Sequence, residues 1–268
     1  MSLIYNATFD KNTRKLSFED RAGNEIYSFV VPERAPTVDD ITKPLTLRAT
    51  QNGSTVKLVK IGKPVGDFQT SRDGGNTWTD YTINDVITLN TGDEVSFRAK
   101  ADRTSEQSDT KYFKFMMKGK IEAWHNVMSL YRTNDFATYE SMVECAFIYL
   151  FSGGTSLTKA PVLPATTLAK GCYQFMFNSC RSLTKAPALP ATNLSDYCYY
   201  YTFWGCQSLK EVRVSATKTA SEALTNWLSG VSPTGDFYCY PSARLFLKDS
   251  ASGIPQNWRR LNINDYPN

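Results

Sequence analysis

The sequence predicts a mostly β protein with short helices, built as an N-terminal β meander, a β-sandwich and a short α/β solenoid. Three observations carry this expectation. Residues 157–206 contain an internal repeat, SLTKAPVLPATTLAKGCYQFMFNSC followed by SLTKAPALPATNLSDYCYYYTFWGC, at a constant offset of 26 residues. Seven short, turn-punctuated runs precede it, and three more lie near the N-terminus. At 268 residues the chain has length for two or three units, each with its own core.

Residues 3–31 read as three strands, Leu3–Phe9, Lys15–Glu19 and Glu25–Val31, divided by the turn signals Asp10-Lys11-Asn12 and Ala22-Gly23-Asn24. A lone meander of this size is barely stable in water. Residues 1–35 are therefore expected to anchor on another protein or on a second copy of the chain. Residues 32–44, PERAPTVDDITKP, hold three prolines and form a stiff linker.

Within residues 45–118, the runs LTLRAT, STVKLVKI, DFQTS, WTDYT, VITLN, EVSFRAK and KYFKFMMKG alternate apolar and polar side chains between glycine-rich turns. Seven short strands at this spacing match a sandwich of immunoglobulin-like size, without the Cys…Trp…Cys core of true immunoglobulin domains.

Residues 120–268 change character. Residues 121–150 are expected to cap the repeats, with SMVECAFIYLF helix-like, and in each repeat Ser-Leu-Thr-Lys-Ala-Pro gives a short strand that proline ends. Pro-Ala-Thr-x-Leu then leads into a helix, because Leu168, Cys172, Phe175/Met176 and Cys180 recur at three-to-four spacing. A third, degraded copy starts at Ser208, with a strand to Val214 and a helix over Ser221–Leu228 that sets Trp227 in the place of Tyr201. Phe237–Tyr240 supplies a last strand, and Ile254, Pro255 and Trp258 close the end. Each unit of such a period buries its apolar face only against its neighbours.

Composition narrows the function. Hydrophobic content of 41% and charged content of 21% are those of a folded protein. The net charge is only +4 and the basic residues are dispersed, so no nucleic-acid partner is expected. The first twenty residues lack a signal peptide, and no apolar run approaches a bilayer span, so no membrane insertion is expected in the chain as written. Six cysteines occur. Cys172/Cys198 and Cys180/Cys206 are repeat equivalents, about 5 Å apart if copies stack like neighbouring strands. Buried thiols are favoured, with disulfides between copies as the alternative.

The strings FMFNSCRSLTKAPALPAT and YTFWGCQSLKEVRVSA resemble the BspA-like leucine-rich repeats of surface and phage-encoded proteins of gut Bacteroidales. The similarity covers about residues 121–240, and DGGNTWTDY with ITLNTGDEVSFRA looks like the small sandwiches often set before such repeats. The resemblance implies adhesion: a virion protein of a Bacteroides phage, a head or tail fibre or decoration protein forming a homo-oligomer, joined to other virion proteins or itself through residues 1–35 and meeting a host surface protein or glycan through the repeats. The alternative is a Bacteroides cell-surface adhesin. No site residue carries over from the family.

Ser71-x-Asp73-x-Gly75-x-Thr77-Trp78 resembles the Asp-box of sialidase-type propellers and suggests, as a third reading, a glycan-active enzyme. One copy cannot build a propeller, so a hairpin turn is expected. The single histidine, His125, has no assigned nucleophile or carboxylate partner, and neither catalytic residues, a metal site nor a cofactor is expected. The remaining lead is aromatic. Repeat alignment turns Cys198, Tyr201 and Phe203 inward and leaves Tyr197, Tyr200 and Trp204 near the surface, where the preceding copy has Gly171, Gln174 and Asn178. These three are the candidate binding residues, for protein or glycan; packing against the C-terminal cap or the sandwich is the competing role.

Overall fold

The computed structural model describes residues 6–10, 15–30, 39–64, 66–103, 107–248 and 251–266. Residues 3–5 of the first expected strand, Val31 of the third and much of the linker lie outside them. Over the described residues the chain is mostly β, with several sheets and no barrel. It divides into two compact units, Met1–Val38 and Asp39–Asn268.

In the first unit, β1 (Asn6–Asp10), β2 (Lys15–Glu19) and β3 (Glu25–Val30) form an antiparallel sheet in sequence order. Phe18 pairs with Ala7 on one side and Tyr27 on the other. The Phe18 and Tyr27 rings lie 6.2 Å apart. Asp20 closes the second turn: its Oδ1 accepts the N–H groups of Ala22 and Asn24, which places Gly23 at φ 83°. Tyr27 keeps 62% of its surface in solvent, and Ile26 is also exposed.

The second unit begins with β4 (Thr46–Ala49), β5 (Ser54–Ile61), β6 (Phe68–Ser71), β7 (Thr79–Tyr81), β8 (Ile87–Leu89), β9 (Glu94–Ala99) and β10 (Tyr112–Lys118). Each of the seven alternating runs is thus a strand. In β5, Val56 and Leu58 are buried while Thr55 and Lys57 point outward, the period-two pattern of a sheet wet on one face. Strands β10-β5-β8 make one sheet and β4-β9-β6-β7 belong to another. Phe68 meets Phe113 edge-on at 4.8 Å and Phe97 meets Phe115 at 5.0 Å, each pair joining the two sheets. Edge-on aromatic pairs add about 0.5–1.5 kcal/mol each beyond their buried area.

The second sheet continues past residue 118. Strand β11 (Ile121–Trp124), inside the expected cap, pairs antiparallel with β4 and parallel with β12 (Leu157–Lys159). One hydrophobic cluster accordingly runs from Leu45 to Trp258. Farther on, β13 (Glu211–Arg213), β14 (Asp236–Cys239) and β15 (Arg259–Asn262) form a parallel sheet. Parallel bridges at Lys185↔Glu211 and Leu189↔Val214 set the strand segment of the second copy beside that of the third.

The helices expected over 168–180, 194–206 and 221–228, and in SMVECAFIYLF, do not form. Among the described residues the helical segments are two 3-10 turns, Val127–Leu130 and Ile263–Asp265. Each expected helix is instead a series of tight turns, with two alternating hydrogen bonds everywhere but in 221–228, where Asn226 N–H to Ala251 O is the one outward bond among the described residues. The N–H groups of Cys172, Gln174, Met176, Asn178 and Cys180 donate to the carbonyl three residues back. Those of Gly171, Tyr173, Phe175, Phe177 and Ser179 donate to Asp196, Cys198, Tyr200, Thr202 and Trp204 in the next copy. The same alternation holds for residues 145–154 and 197–206.

This pattern requires a left-handed residue at every fourth position. Cys145, Tyr149 and Gly153, then Gly171, Phe175 and Ser179, then Tyr197, Tyr201 and Gly205, then Glu222, Asn226 and Gly230 all have φ between 52° and 70°, apart from Gly230 at 74°. A right-handed helix cannot contain them, and each non-glycine residue there costs about 1–2 kcal/mol. The bonds between copies and the packing they permit offset that cost. Buried side chains follow the same four-residue period: Cys172, Tyr173, Met176, Phe177 and Cys180 are all within 1% of full burial.

Stacking copies places like rings over like. Phe115, Phe151, Phe177 and Phe203 form one column with centroid spacings of 5.4, 5.6 and 5.5 Å, the last two pairs within 2° of parallel. Phe147, Tyr173, Tyr199 and Trp227 form a second at 6.1, 5.9 and 6.3 Å. Tyr112, Tyr149, Phe175 and Tyr201 form a third, half-buried column at 4.6, 4.7 and 5.3 Å. Since Tyr112 and Phe115 belong to β10, the sheet serves as the first layer of the stack.

The third copy is one residue shorter between the bridges Lys185↔Glu211 and Leu189↔Val214. Tyr201 N–H consequently reaches Thr225 O, and Asn226, not Trp227, stands in the Tyr201 position. Trp227 moves inward to full burial and donates its indole N–H to Gly253 O at 3.2 Å. Trp258 is buried likewise and donates to Ser232 O at 2.8 Å.

In the second column the Tyr173 hydroxyl is buried with no hydrogen-bond partner. Burial accordingly holds its ionisation well above the ordinary tyrosine range. An unpartnered buried hydroxyl costs about 1–3 kcal/mol. Tyr173→Phe is expected to raise stability by about 1 kcal/mol in equilibrium denaturation; a loss of that size would show that the hydroxyl has a partner.

Candidate functional site: an aromatic groove along the repeats

The turns that build the columns also set an outer row of side chains. Glu144, Lys170 and Asp196 occupy one equivalent position in three successive copies, and Gln174 and Tyr200 another in two. With the segment Gln107–Asp109, the side chains of Glu144, Lys170, Gln174 and Tyr200 border a groove of about 700 Å³, lined also by Cys145, Tyr149, Phe175 and Tyr197. The Gln107 amide braces its end, donating to Ala146 O and accepting the Phe113 N–H at 3.1 Å.

Of the three expected binding residues, the structure brings two into this groove. Tyr197 and Tyr200 are half-buried and meet edge-on at 5.5 Å, and Tyr200 meets Phe175 edge-on at 5.5 Å. Trp204 lies outside the groove, 42% exposed, with its ring 6.4 Å from Tyr201. Tyr201, expected inside, is half-buried in the outer column, and its hydroxyl accepts Asn226 Nδ2–H at 2.7 Å. Tyr199 takes the inner place because the burial period is four residues rather than that of a helix.

Asp109, Glu144, Lys170 and Gln174 were not singled out from sequence. Their signal was the recurrence of residues 144, 170 and 196 at the repeat offset, which becomes meaningful only once those positions face outward together. Burial, reinforced by the negative charge of Asp109, pushes Tyr149 up to about 12, and burial also raises Tyr200. The Cys145 thiol is raised by burial and then by Asp109 and Glu144, so it is a weak nucleophile there.

The other candidates are structural. His125 is buried at φ 65°; its N–H donates to Asp39 Oδ1 and its Nδ1 accepts the Asp40 N–H, both at 3.1 Å. Burial lowers its basicity. In the Ser71–Trp78 motif, Asp73 accepts the Ser71 and Thr77 hydroxyls, each at 2.6 Å, and Trp78 Nε1–H donates to Gly75 O at 2.9 Å. Those hydrogen bonds hold the Asp73 carboxyl far below the usual carboxylate range. The motif is a turn, as its spacing predicts.

All six cysteines are free thiols. Cys180 Sγ–H donates to Phe151 O at 3.1 Å and Cys206 Sγ–H to Phe177 O at 3.0 Å, each reaching back one copy. A smaller groove of about 420 Å³ follows the Lys-Ala-Pro segments, but its lysines are engaged, Lys159 with Asp39 at 2.6 Å and Lys185 with Glu211 at 2.8 Å. Among the described residues, no group of three His, Cys, Asp or Glu is placed to hold a metal ion, and no helix is long and apolar enough to cross a membrane. No family model matches the chain, and no curated protein or solved structure matches it.

Proposed function

We propose that the chain is a non-enzymatic adhesion protein. In this reading residues 120–268 form a short leucine-rich-repeat solenoid of BspA-like type, carried on an immunoglobulin-like β-sandwich of residues 45–118. The observation that supports it best is the outer face of the stack, where Tyr197, Tyr200 and Trp204 display aromatic surface on a scaffold whose backbone donors are already bonded. Such rings give large contact area at low entropic cost and keep a polar handle.

The resemblance of the repeat strings extends the reading to a phage virion fibre or decoration protein, with host surface protein or glycan as the partner of the repeats. Residues 1–35 would join it to other virion proteins or to itself, in keeping with the exposed Tyr27 and Ile26 on a sheet of three strands. The test is a double variant, Tyr200→Ala with Trp204→Ala. Attachment of the full chain to host cells is expected to weaken at least about tenfold, with the melting temperature changed by no more than about 3 °C. Unchanged attachment would contradict the proposal, and a large loss of stability would place the rings in the core.

A further inference from the structure

The groove has a composition that selects among ligands. Along the repeat wall of the groove the N–H groups of Cys145, Tyr149, Gly171, Phe175 and Tyr197 all donate to the adjoining copy and are closed to a ligand. An extended peptide binding by strand addition needs unpaired main-chain groups. Along that wall a ligand is therefore held by side chains.

Those side chains fall into two sets. Tyr200 supplies ring surface, since Tyr149 is stacked between Tyr112 and Phe175, and Asp109, Glu144, Gln174 and Lys170 supply hydrogen-bonding groups around it. A pyranose ring matches this division: its C–H face packs on an aromatic ring, while its hydroxyls, each both donor and acceptor, radiate in the ring plane toward carboxylates and amides. Ligand sites generally combine apolar walls with a few placed polar groups in this way. Two carboxylates against one ammonium leave the groove acidic, so a sugar carrying sulfate, phosphate or carboxylate is disfavoured.

We infer that this groove binds a neutral oligosaccharide, one sugar ring lying against Tyr200 with its hydroxyls taken by Asp109, Glu144 and Gln174. The inference rests on the adhesion reading and names its ligand class. It assigns Trp204, outside the groove, no part in sugar binding.

The experiment applies the full chain to a printed array of neutral and acidic oligosaccharides, beside Tyr200→Ala, Glu144→Gln and Trp204→Ala. Glu144 is exposed at the rim, and the melting temperature of Glu144→Gln, measured beside that of the unchanged chain, separates a lost ligand contact from a lost internal one. The expected result is retention on a subset of neutral glycans, competed by the same sugar in solution. Retention should be weakened about tenfold or more by Tyr200→Ala and by Glu144→Gln. Trp204→Ala should leave it unchanged. Retention on acidic glycans alone, no retention, or retention indifferent to both groove variants overturns the inference.

Adhesion to cells before and after periodate oxidation of their surface sugars separates the two claims. Adhesion that survives oxidation leaves the adhesion reading standing and removes this one. Array binding without any cell adhesion does the reverse.

Discussion

Phe177→Ala is expected to destabilise the second unit by about 4 kcal/mol, measured by equilibrium denaturation. Its ring is fully buried between Phe151 and Phe203, at 5.6 and 5.5 Å and nearly parallel to both. Truncating a buried phenylalanine costs about 3–5 kcal/mol through lost transfer energy and the cavity left behind. Relaxation into that cavity is restricted, because the backbone on either side is fixed by bonds from Phe151 N–H to Met176 O and from Phe177 N–H to Thr202 O. Phe175→Ala, in the half-buried outer column, is expected to cost less than half as much. Equal losses at the two positions would mean that the inner and outer columns are not distinct.

A single inserted residue is expected to do greater damage than either truncation. With one alanine placed between Gln174 and Phe175, the donors that now reach the next copy, Phe175, Phe177 and Ser179, would fall where the local turns close. Phe175 and Phe177 would leave their columns together, and left-handed φ would fall on residues other than Phe175 and Ser179. The combined loss should exceed about 5 kcal/mol, the range that marks disruption of a core. The same insertion between Pro187 and Ala188 falls at a bend that already differs by one residue between the second and third copies. Ala188 is exposed there, and the cost should stay below about 2 kcal/mol. Two insertions of similar effect would show that the four-residue phase has no structural role.

The parts of the fold that were legible in the sequence are those set by short-range alternation or by copied strings. Runs such as STVKLVKI state the two faces of a strand directly, and the glycine and Asn/Asp turns bound them. The repeat was legible because SLTKAP recurs unchanged. The helices were misread because a four-residue period and a helical stripe share their i and i+4 positions: Cys172, Met176 and Cys180 satisfy both.

What separates the two is the adjacent partner. A tight-turn series buries i and i+1 together, as in Cys172-Tyr173 and Met176-Phe177, whereas a helix favours i and i+3. Read that way, Tyr199 and Thr202 belong inside and Tyr201 outside, as the structure has them. The shift of Trp227 was hidden for a different reason. A one-residue shortening between Glu211 and Val214 leaves no trace in a degraded copy, and the bridge Leu189↔Val214 with the hydrogen bonds to residues 221–229 exposes it. The groove was half legible: its tyrosines stood out as added aromatic residues, but its carboxylates come from segments 35 residues apart in sequence, Asp109 and Glu144, and no local pattern joins them.

Through-hydrogen-bond scalar couplings, measured by NMR on the labelled chain, test the stacked arrangement most directly. Coupling of the Phe177 amide nitrogen to the Thr202 carbonyl carbon, beside coupling of Met176 to Tyr173, is the expected result. Coupling of Phe177 to Tyr173, four residues back, would be the signature of a helix and would contradict the account.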